Sequence, residues 1–173
     1  MKEALIKRCF ILYELILHAV VEPRLRALLL RLGGARIGKN VRVYSIRIIN
    51  PVSGFRNLHI DDNAHVGTDC LLDLSGEIHI GKGATLAPRV IILTHADAGE
   101  FHHNPVCQAF PSKTEGVVIG AYSWIGAGST LLAGSGTGEK CVIGAMSLVT
   151  KVLPGKSVHA GIPTRQIRCL EGI

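Results

Sequence analysis

The residues with the clearest capacity for chemistry lie together between positions 95 and 103. They are His95, Asp97, Glu100, His102 and His103. Imidazole can take up a proton near neutral pH or bind a metal, and carboxylates can assist in either role. The spacing of the last four residues is loose for a metal-ligand set and suits a solvated loop better, so no metal is expected. The imidazole of His95 is of a type that could accept a proton from a hydroxyl group.

The cysteines do not indicate a redox or structural role. There are five of them, an odd number, and no two are spaced as CxxC. This favours a reducing compartment with mostly buried thiols over a disulfide framework.

Positive charge is concentrated at the N-terminus. Residues 1–40 carry eight Lys or Arg and three Glu, a net charge of +5, whereas residues 41–173 carry eleven Lys or Arg and ten Asp or Glu, a net charge of +1. The balanced main body argues against a nucleic-acid-binding face. The longest apolar run, Cys9 to Val21, is shorter than the ~20 residues of a membrane span, and no small-x-small cleavage motif follows it. Neither a transmembrane helix nor a signal peptide is expected.

Aliphatic residues recur at every sixth position, and several are followed by Gly. A helix repeats at about 3.6 residues and a strand at about 2, so neither gives this spacing. A period of six fits an all-β, triangular solenoid in which each short strand turns one aliphatic side chain inward and small residues occupy the corners. The repeating positions are Ile37, Val43 and Ile49; Ile60, Val66 and Leu72; Leu74, Ile80, Leu86 and Ile92; and Ile119, Ile125, Leu131, Thr137, Ile143 and Val149.

Eighteen residues make one three-sided coil, so residues 37–161 without residues 96–116 predict five to six coils. Residues 96–116 have no period and contain two prolines. They are predicted to form a loop extruded between coils, where functional groups are often found. The tail, residues 164–173, is predicted to fold back as a short helix or strand. Residues 35–173 are thus expected to form one domain.

Residues 1–34 are predicted to form a separate helical segment. One helix runs from Lys2 to Val20, Glu22-Pro23 interrupts it, and a second runs from Arg24 to Leu32 before Gly33-Gly34. The segment combines apolar and basic residues, which suits peripheral contact with an anionic membrane. It also suits a cap over the open end of the solenoid, and this is favoured because solenoid ends need covering.

The most distinctive stretch of the repeat is VVIGAYSWIGAGSTLLAG, followed by VIGAMSLVTKVLPGKSVHAGIPTRQIR. With the repeat itself, over about residues 37–168, it resembles the hexapeptide-repeat acyltransferases, and within them the sugar O-acetyltransferases that act on galactosides, maltose and capsular polysaccharides. The resemblance implies a left-handed parallel β-helix, a homotrimer and acetyl-CoA as the acetyl donor. It also implies a cytoplasmic enzyme of surface-polysaccharide synthesis, either free or peripheral on the inner face of the membrane.

The resemblance also assigns roles to residues. His95, in ILTHADAG, matches the catalytic His and would take the proton of a sugar hydroxyl, a step that general bases accelerate by about 10²–10⁴-fold. The hydroxyl would attack acetyl-CoA directly in a ternary complex. The backbone N–H of Ala127 would stabilise the oxyanion. Asp69 matches a position that binds acceptor hydroxyls.

The acetyl-CoA positions follow from the same blocks and would line a groove between two subunits. They include a wall beside the pantetheine arm, backbone contacts, a residue flanking the adenine, and cations for the phosphates. The matching residues are Trp124, Ala127, Ala145, Thr150, Lys151, Pro163, Arg165 and Arg168.

Two features depart from the sugar-enzyme pattern. Ser135 and Thr137 replace aliphatic residues, which predicts one under-filled or repacked coil side, and Ala96 replaces a frequent Pro after the catalytic His. Three alternatives stay open. One is N-acetylation of an amino sugar or nucleotide sugar, and another is a catalytically silent coil. The third is a carbonic anhydrase-like lyase, which is disfavoured because Glu100 stands where the γ-class enzymes place a second His.

Overall fold

The computed structural model describes residues 13–51, 53–99 and 104–172. These residues form a parallel β-solenoid of about six turns, preceded by two short helices. The predicted all-β solenoid and its coil number are therefore confirmed. None of the described helices is long and apolar enough to cross a membrane.

Helix α1 covers residues 13–19, and helix α2 covers Pro23–Leu32. The carboxylate of Glu22 caps α2 by accepting a hydrogen bond from the N–H of Leu25, and Pro23 occupies the first turn, where no N–H is needed. The chain leaves α2 through Gly34, whose φ of +105° favours glycine. The second predicted helix is confirmed, although it begins at Pro23, one residue before the predicted start at Arg24. Residues 2–12 of the first lie outside the described residues.

Short strands form the three sides of the solenoid, and a separate two-stranded antiparallel ribbon projects from it. Each strand pairs in parallel with the strand one coil away, except the last strand of face 2, which pairs antiparallel, so every side is a ladder. Face 1 contains β1 (Arg36–Ile37), β4 (Leu58–Ile60), β7 (Ile78–Ile80), β12 (Val117–Ile119), β15 (Gly136–Thr137) and β18 (Val152–Leu153). Face 2 contains β2 (Arg42–Val43), β5 (His65–Val66), β8 (Thr85–Leu86), β13 (Trp124–Ile125), β16 (Val142–Ile143), β19 (Ser157–Ala160) and β20 (Arg165–Cys169). Face 3 contains β3 (Ile46–Ile49), β6 (Cys70–Asp73), β9 (Ile91–Ile92), β14 (Thr130–Leu131) and β17 (Leu148–Val149), and the ribbon contains β10 (His95–Ala96) and β11 (Lys113–Thr114).

The core is built by aliphatic side chains stacked from coil to coil. On face 1, Ile60, Ile80 and Ile119 occupy equivalent positions in successive coils, and all three are buried. Each such side chain contributes about 1.5–3 kcal/mol when it leaves water. The six-residue repeat in the sequence thus reflects these columns of stacked side chains in the core.

Glycine after the inward aliphatic residue allows neighbouring coils to approach closely at the corners. A Cβ on Gly126 would lie 2.5 Å from the backbone N of Ala145 in the next coil, a distance that real Cβ atoms do not show. A side chain there would push the two coils apart. This explains why Ile is so often followed by Gly in the repeat.

The period breaks where residues 96–116 leave the solenoid. His95 pairs with Thr114 in the antiparallel ribbon β10–β11, and a 3-10 helix, Pro105–Gln108, lies between the two strands. Residues 100–103 lie outside the described residues. Beneath this extruded segment, Ile78 still pairs with Val117, so the solenoid continues in register.

The last coils are more polar inside than the first. Ser135 and Thr137 turn inward and are buried, and Thr137 Oγ1 accepts a hydrogen bond of 3.2 Å from the N–H of Gly120. Within the described residues, Ser135 Oγ and His159 Nδ1 are buried without a partner. The tail forms β20, which pairs antiparallel with β19, as the predicted fold-back allows.

Candidate active site

His95 lies at the edge where face 3 turns toward face 1. It lies three residues after the end of β9 and begins the extruded segment, so a strand of the solenoid lies close to it on one side. Its side chain is 36% exposed, and its Nδ1 lies 2.7 Å from Oδ2 of Asp73. Asp73 ends β6, the strand one coil earlier on the same face. The coil repeat therefore brings together two residues that are far apart in sequence.

The carboxylate of Asp73 is fully buried and accepts several hydrogen bonds. The backbone N–H groups of Thr94 and His95 donate to Oδ2, each at 3.0 Å. The Ser75 hydroxyl and the Asn50 amide donate to Oδ1 at 2.9 and 3.0 Å. Burial alone would raise the pKa of Asp73, but the hydrogen bonds from His95, Asn50, Thr94 and Ser75 outweigh it and hold the pKa well below its ordinary value.

An ionised Asp73 determines how His95 can act. Because the carboxylate is an acceptor, it favours the imidazole tautomer with the proton on Nδ1. Nε2, on the other side of the ring, is then an acceptor that can take a proton from a bound hydroxyl. The same hydrogen bond fixes the ring orientation and stabilises the imidazolium that forms. The pair is therefore suited to general-base chemistry.

Thr94 holds the corner that carries His95. Its side chain is buried, and its Oγ1 donates a hydrogen bond of 2.7 Å to the backbone carbonyl of Asp73. The same Oγ1 accepts one of 2.8 Å from the N–H of Gly76. Its carbonyl accepts one of 2.8 Å from the N–H of Glu115, where the chain returns from the extruded segment. Both ends of that segment are therefore anchored at His95.

Three predicted binding residues lie at a different edge, where face 2 turns toward face 3. Asp69, Ala127 and Ala145 occupy this edge in three different coils, whereas Pro163 lies in the turn between β19 and β20 of face 2. The carbonyl of Ala127 accepts a hydrogen bond of 2.8 Å from Met146, whereas its N–H has no partner within the described residues. This N–H is thus available to an oxyanion.

The two edges are separated by the width of face 3. Asp69 and Asp73 mark the two sides of the same strand, and four residue steps of about 3.3 Å place their Cα atoms roughly 13 Å apart. Thr150 and Lys151 share the edge of His95, two coils further on. One chain therefore does not bring His95 and Ala127 together.

The remaining predicted positions lie on face 2. Trp124 points outward from β13 and is 54% exposed, although aromatic residues are usually at least partly covered. Arg165 and Arg168 are exposed on β20, the last strand of the same face. An exposed aromatic side chain and two cations thus lie on face 2, which borders the edge that carries Ala127 and Ala145.

Sequence reasoning missed Asp73, Asn50 and Ser75. Leu72 pairs with Ile92 across the ladder, so the next residue, Asp73, lies one coil before the corner that carries Thr94 and His95. Glu100, His102 and His103 lie outside the described residues. Among the described residues, no group of three His, Cys, Asp or Glu could hold a metal ion.

Comparisons with known proteins give consistent results. WcaF of Escherichia coli (strain K12), a protein named as a colanic acid biosynthesis acetyltransferase, is 36% identical over 146 residues, which cover 84% of this chain and 75% of WcaF. A maltose O-acetyltransferase from Clostridium difficile 630 superposes with a TM-score of 0.79 at 29% identity, over 98% of this chain and 89% of that one. AntD, an N-acyltransferase from Bacillus cereus solved with dTDP-4-amino-4,6-dideoxyglucose and coenzyme A, gives a TM-score of 0.60 at 26% identity, over 80% and 86%. No protein-family model matches the chain.

These similarities, together with the solenoid, define a left-handed β-helix acetyltransferase. The chain belongs to the hexapeptide-repeat acetyltransferase family, in its branch with sugar O-acetyltransferases. The resemblance seen in the sequence and the predicted handedness are therefore confirmed.

Proposed function

We propose that the protein transfers an acetyl group from acetyl-CoA to a hydroxyl of a saccharide, with His95 as the general base. One observation carries the proposal: a partly exposed imidazole is hydrogen-bonded through Nδ1, at 2.7 Å, to the buried carboxylate of Asp73. That arrangement leaves Nε2 as a proton acceptor at an accessible edge. A saccharide hydroxyl needs such a base because it is a poor nucleophile near neutral pH.

The proposed step transfers the acetyl group directly. The hydroxyl oxygen bonds to the carbonyl carbon of acetyl-CoA while Nε2 of His95 takes its proton. The carbonyl oxygen becomes an oxyanion, for which the free N–H of Ala127 is the candidate donor, and such donors contribute about 2.7–4 kcal/mol in other enzymes. Collapse of this species breaks the C–S bond, and the proton on His95 passes to the departing thiolate. Asp73 holds the ring in position throughout.

We further propose that the site forms between two copies of the chain, within a homotrimer. The edge of His95 and the edge of Ala127 lie roughly 13 Å apart across face 3 in one chain. A small acetyl group cannot contact both edges at once. A threefold arrangement would place the His95 edge of one copy against the Ala127 edge of the next, with acetyl-CoA between Trp124 and Arg168 of one and Lys151 of the other.

The acceptor class is supported by the relatives. WcaF is named for colanic acid biosynthesis and the Clostridium difficile protein for maltose, and both names refer to saccharides. We therefore propose a role in surface-polysaccharide synthesis, which the name of WcaF supports. Asp69, exposed on the Ala127 edge, would bind acceptor hydroxyls.

A second candidate function is N-acylation of an amino sugar. The observation that favours it is the similarity to AntD, which was solved with an amino-sugar nucleotide. The same base would serve, since an amine also loses a proton on acylation. The acceptor rather than the catalytic pair therefore separates the two candidates.

Purified full-length protein tests these proposals. Acetyl-CoA is offered with a panel of sugars, amino sugars, nucleotide sugars and lipid-linked glycans, and free thiol release is followed. Acetylation of a hydroxyl, seen as an ester by mass spectrometry, supports the main proposal; an amide product supports the second. If no acceptor of the panel raises thiol release above background, both proposals are contradicted. Analytical ultracentrifugation tests the trimer, and a monomer with full activity would contradict the shared site.

A further inference from the structure

The outward surface of helix α2 is apolar, which is unusual for a helix on the outside of a protein. Leu25, Leu28 and Leu32 lie at spacings of three and four residues, on one side of the helix. Their exposed fractions are 46%, 46% and 73%, and Val21, just before the helix, is 89% exposed. We call these four residues the α2 stripe.

The α2 stripe is not required for packing against the solenoid. Ala27 and Leu30, on the other side of the helix, are buried against the first coil. The guanidinium of Arg26 is also buried and donates hydrogen bonds of 2.9 Å to the carbonyls of Leu17 and Val43. The helix therefore has a complete inner face without the stripe. Four aliphatic side chains in water then need another explanation.

Basic residues border the α2 stripe along one side. Arg24, Leu28 and Arg31 follow each other along the helix, and Lys39 lies on the neighbouring corner of the first coil. Together they line a cleft of about 280 Å³ that also includes Gly38 and Asn40. None of the described residues that line this cleft carries a carboxylate. The cleft is therefore positively charged beside an apolar surface.

Two carboxylates, those of Glu22 and Asp62, lie close to the cleft, and neither forms an ion pair with its basic side chains within the described residues. Glu22 accepts a hydrogen bond of 2.6 Å from the N–H of Leu25, where it caps the helix. Asp62 accepts one of 2.5 Å from the backbone N–H of Lys39. The guanidinium groups of Arg24 and Arg31 donate to uncharged oxygen atoms, namely Oδ1 of Asn40 and two backbone carbonyls. Their positive charge, with that of Lys39, can therefore attract an external anion, and phosphate is a preferred partner of such groups.

We propose that the α2 stripe and this basic cleft dock the protein on a bilayer that contains anionic phospholipids. The aliphatic side chains would enter the boundary between headgroups and acyl chains, and Arg24, Arg31 and Lys39 would bind headgroup phosphates. A second copy of the stripe is a poorer occupant because it would bring these cations close together. The proposal concerns a surface away from His95, and its test measures binding rather than acetyl transfer. It can therefore fail without affecting the proposed function.

Vesicle sedimentation of the full-length protein tests the proposal. We expect it to pellet with vesicles of equal parts phosphatidylglycerol and phosphatidylcholine, and much less with phosphatidylcholine alone. Arg24→Gln combined with Lys39→Gln should weaken binding about thirty-fold, from about a fivefold loss per basic residue near the surface. The matched control, Lys82→Gln with Lys156→Gln, removes two exposed cations elsewhere and should bind like the wild type.

The apolar part is tested by Leu25→Gln, Leu28→Gln and Leu32→Gln together. All three side chains are exposed, so the protein should keep its thermal unfolding midpoint while vesicle binding falls about tenfold or more. Failure of the full chain to pellet with anionic vesicles would overturn the proposal. So would equal losses in the two charge variants, or unchanged binding in the leucine variant. A leucine variant that loses self-association instead would show that a second copy covers the stripe, and this would also overturn it.

Discussion

Two His–Asp pairs lie in the same solenoid and differ in how their carboxylates are held. His95 Nδ1 contacts Asp73 at 2.7 Å, and the Asp73 side chain is fully buried. His79 Nε2 contacts Asp61 at 2.9 Å, and the Asp61 side chain is 49% exposed. A carboxylate in water can turn away at little cost, whereas one buried among donors has a fixed direction.

The surroundings of the two pairs follow from their places in the coil. Asp73 ends a strand of face 3, and the chain turns over it, so backbone N–H groups and the side chains of Ser75 and Asn50 reach it. Asp61 lies at an outer corner beside an outward-facing His on face 1. The comparison shows that the groups behind the carboxylate, and not the contact alone, determine whether the carboxylate holds an imidazole in one orientation.

The largest expected effect separates the two histidines. His95→Ala should lower kcat by about 10²-fold or more, because the base is lost, while His79→Ala should keep near-wild-type kcat. Thiol release with the best acceptor of the panel measures both. A gel-filtration profile matching the wild type verifies that assembly is intact. Equal activity in the two variants would remove His95 from the mechanism.

A smaller effect is expected from the two carboxylates. Asp73→Asn should lower kcat roughly tenfold or more while KM for acetyl-CoA stays close to the wild-type value, because the amide no longer fixes the imidazole. Asp61→Asn is the matched control and should leave kcat unchanged. If Asp73→Asn lowers only the thermal unfolding midpoint, with kcat intact on the folded protein, then Asp73 has a structural role alone.

The buried carboxylate of Asp73 should also contribute to the way the stability of the protein falls under acidic conditions. The pKa of Asp73 is lowered below its ordinary 3.8, so the unfolded chain binds this proton at a higher pH than the folded chain. Its stabilisation is present above pH 3.8 and is lost as the pH falls below that value. Urea unfolding at a series of pH values should show a shallower acid decline for Asp73→Asn than for Asp61→Asn. Parallel curves would contradict this.

His159 extends the comparison of the two His–Asp pairs, since this third histidine has no carboxylate partner among the described residues. His159 is buried, its Nε2 lies 2.9 Å from Ser157 Oγ, and its Nδ1 is unpaired. Burial, with a smaller contribution from the charge of Lys151, lowers the pKa of His159 below its ordinary 6.5. The unfolded state then binds the proton first, so stability should fall as the pH drops below 6.5.

This effect is the smallest of the four, and a variant can isolate it. His159→Gln should flatten the decline between about pH 6.5 and 5, where carboxylates still carry their charge. The measurement is the urea midpoint at each pH, compared with the wild type. A decline that persists unchanged in the variant would assign it to another group.

Much of the architecture could be predicted from the sequence because each strand turns one side chain inward, and this produces a regular spacing of aliphatic residues along the chain. Ile60, Ile80 and Ile119 recur because each fills the same slice of the core. The handedness could not be read from spacing, since the same inward positions suit a coil of either hand. It came from the resemblance and agrees with the related structures.

The site was less accessible to sequence reasoning. His95 was found because it starts the non-repeating segment and matches the catalytic His of the family that the sequence resembles. Asp73 was missed because its role depends on the coil below and on the turn that buries it. Ala127 and His95 were assigned to one reaction, whereas in a single chain they lie on opposite edges of face 3. Sequence spacing describes one chain and contains no direct record of contacts between copies.

The extruded segment has a consequence for how specificity could change in this enzyme. Ile78 pairs with Val117 beneath it, so the coils on either side are stacked as if the intervening residues were not there. Insertions or replacements between Ala96 and Lys113 would then change only a surface loop. The entropic cost of closing such a loop grows slowly with its length. Segments of other lengths could therefore be placed between these two residues without changing the coils that position His95.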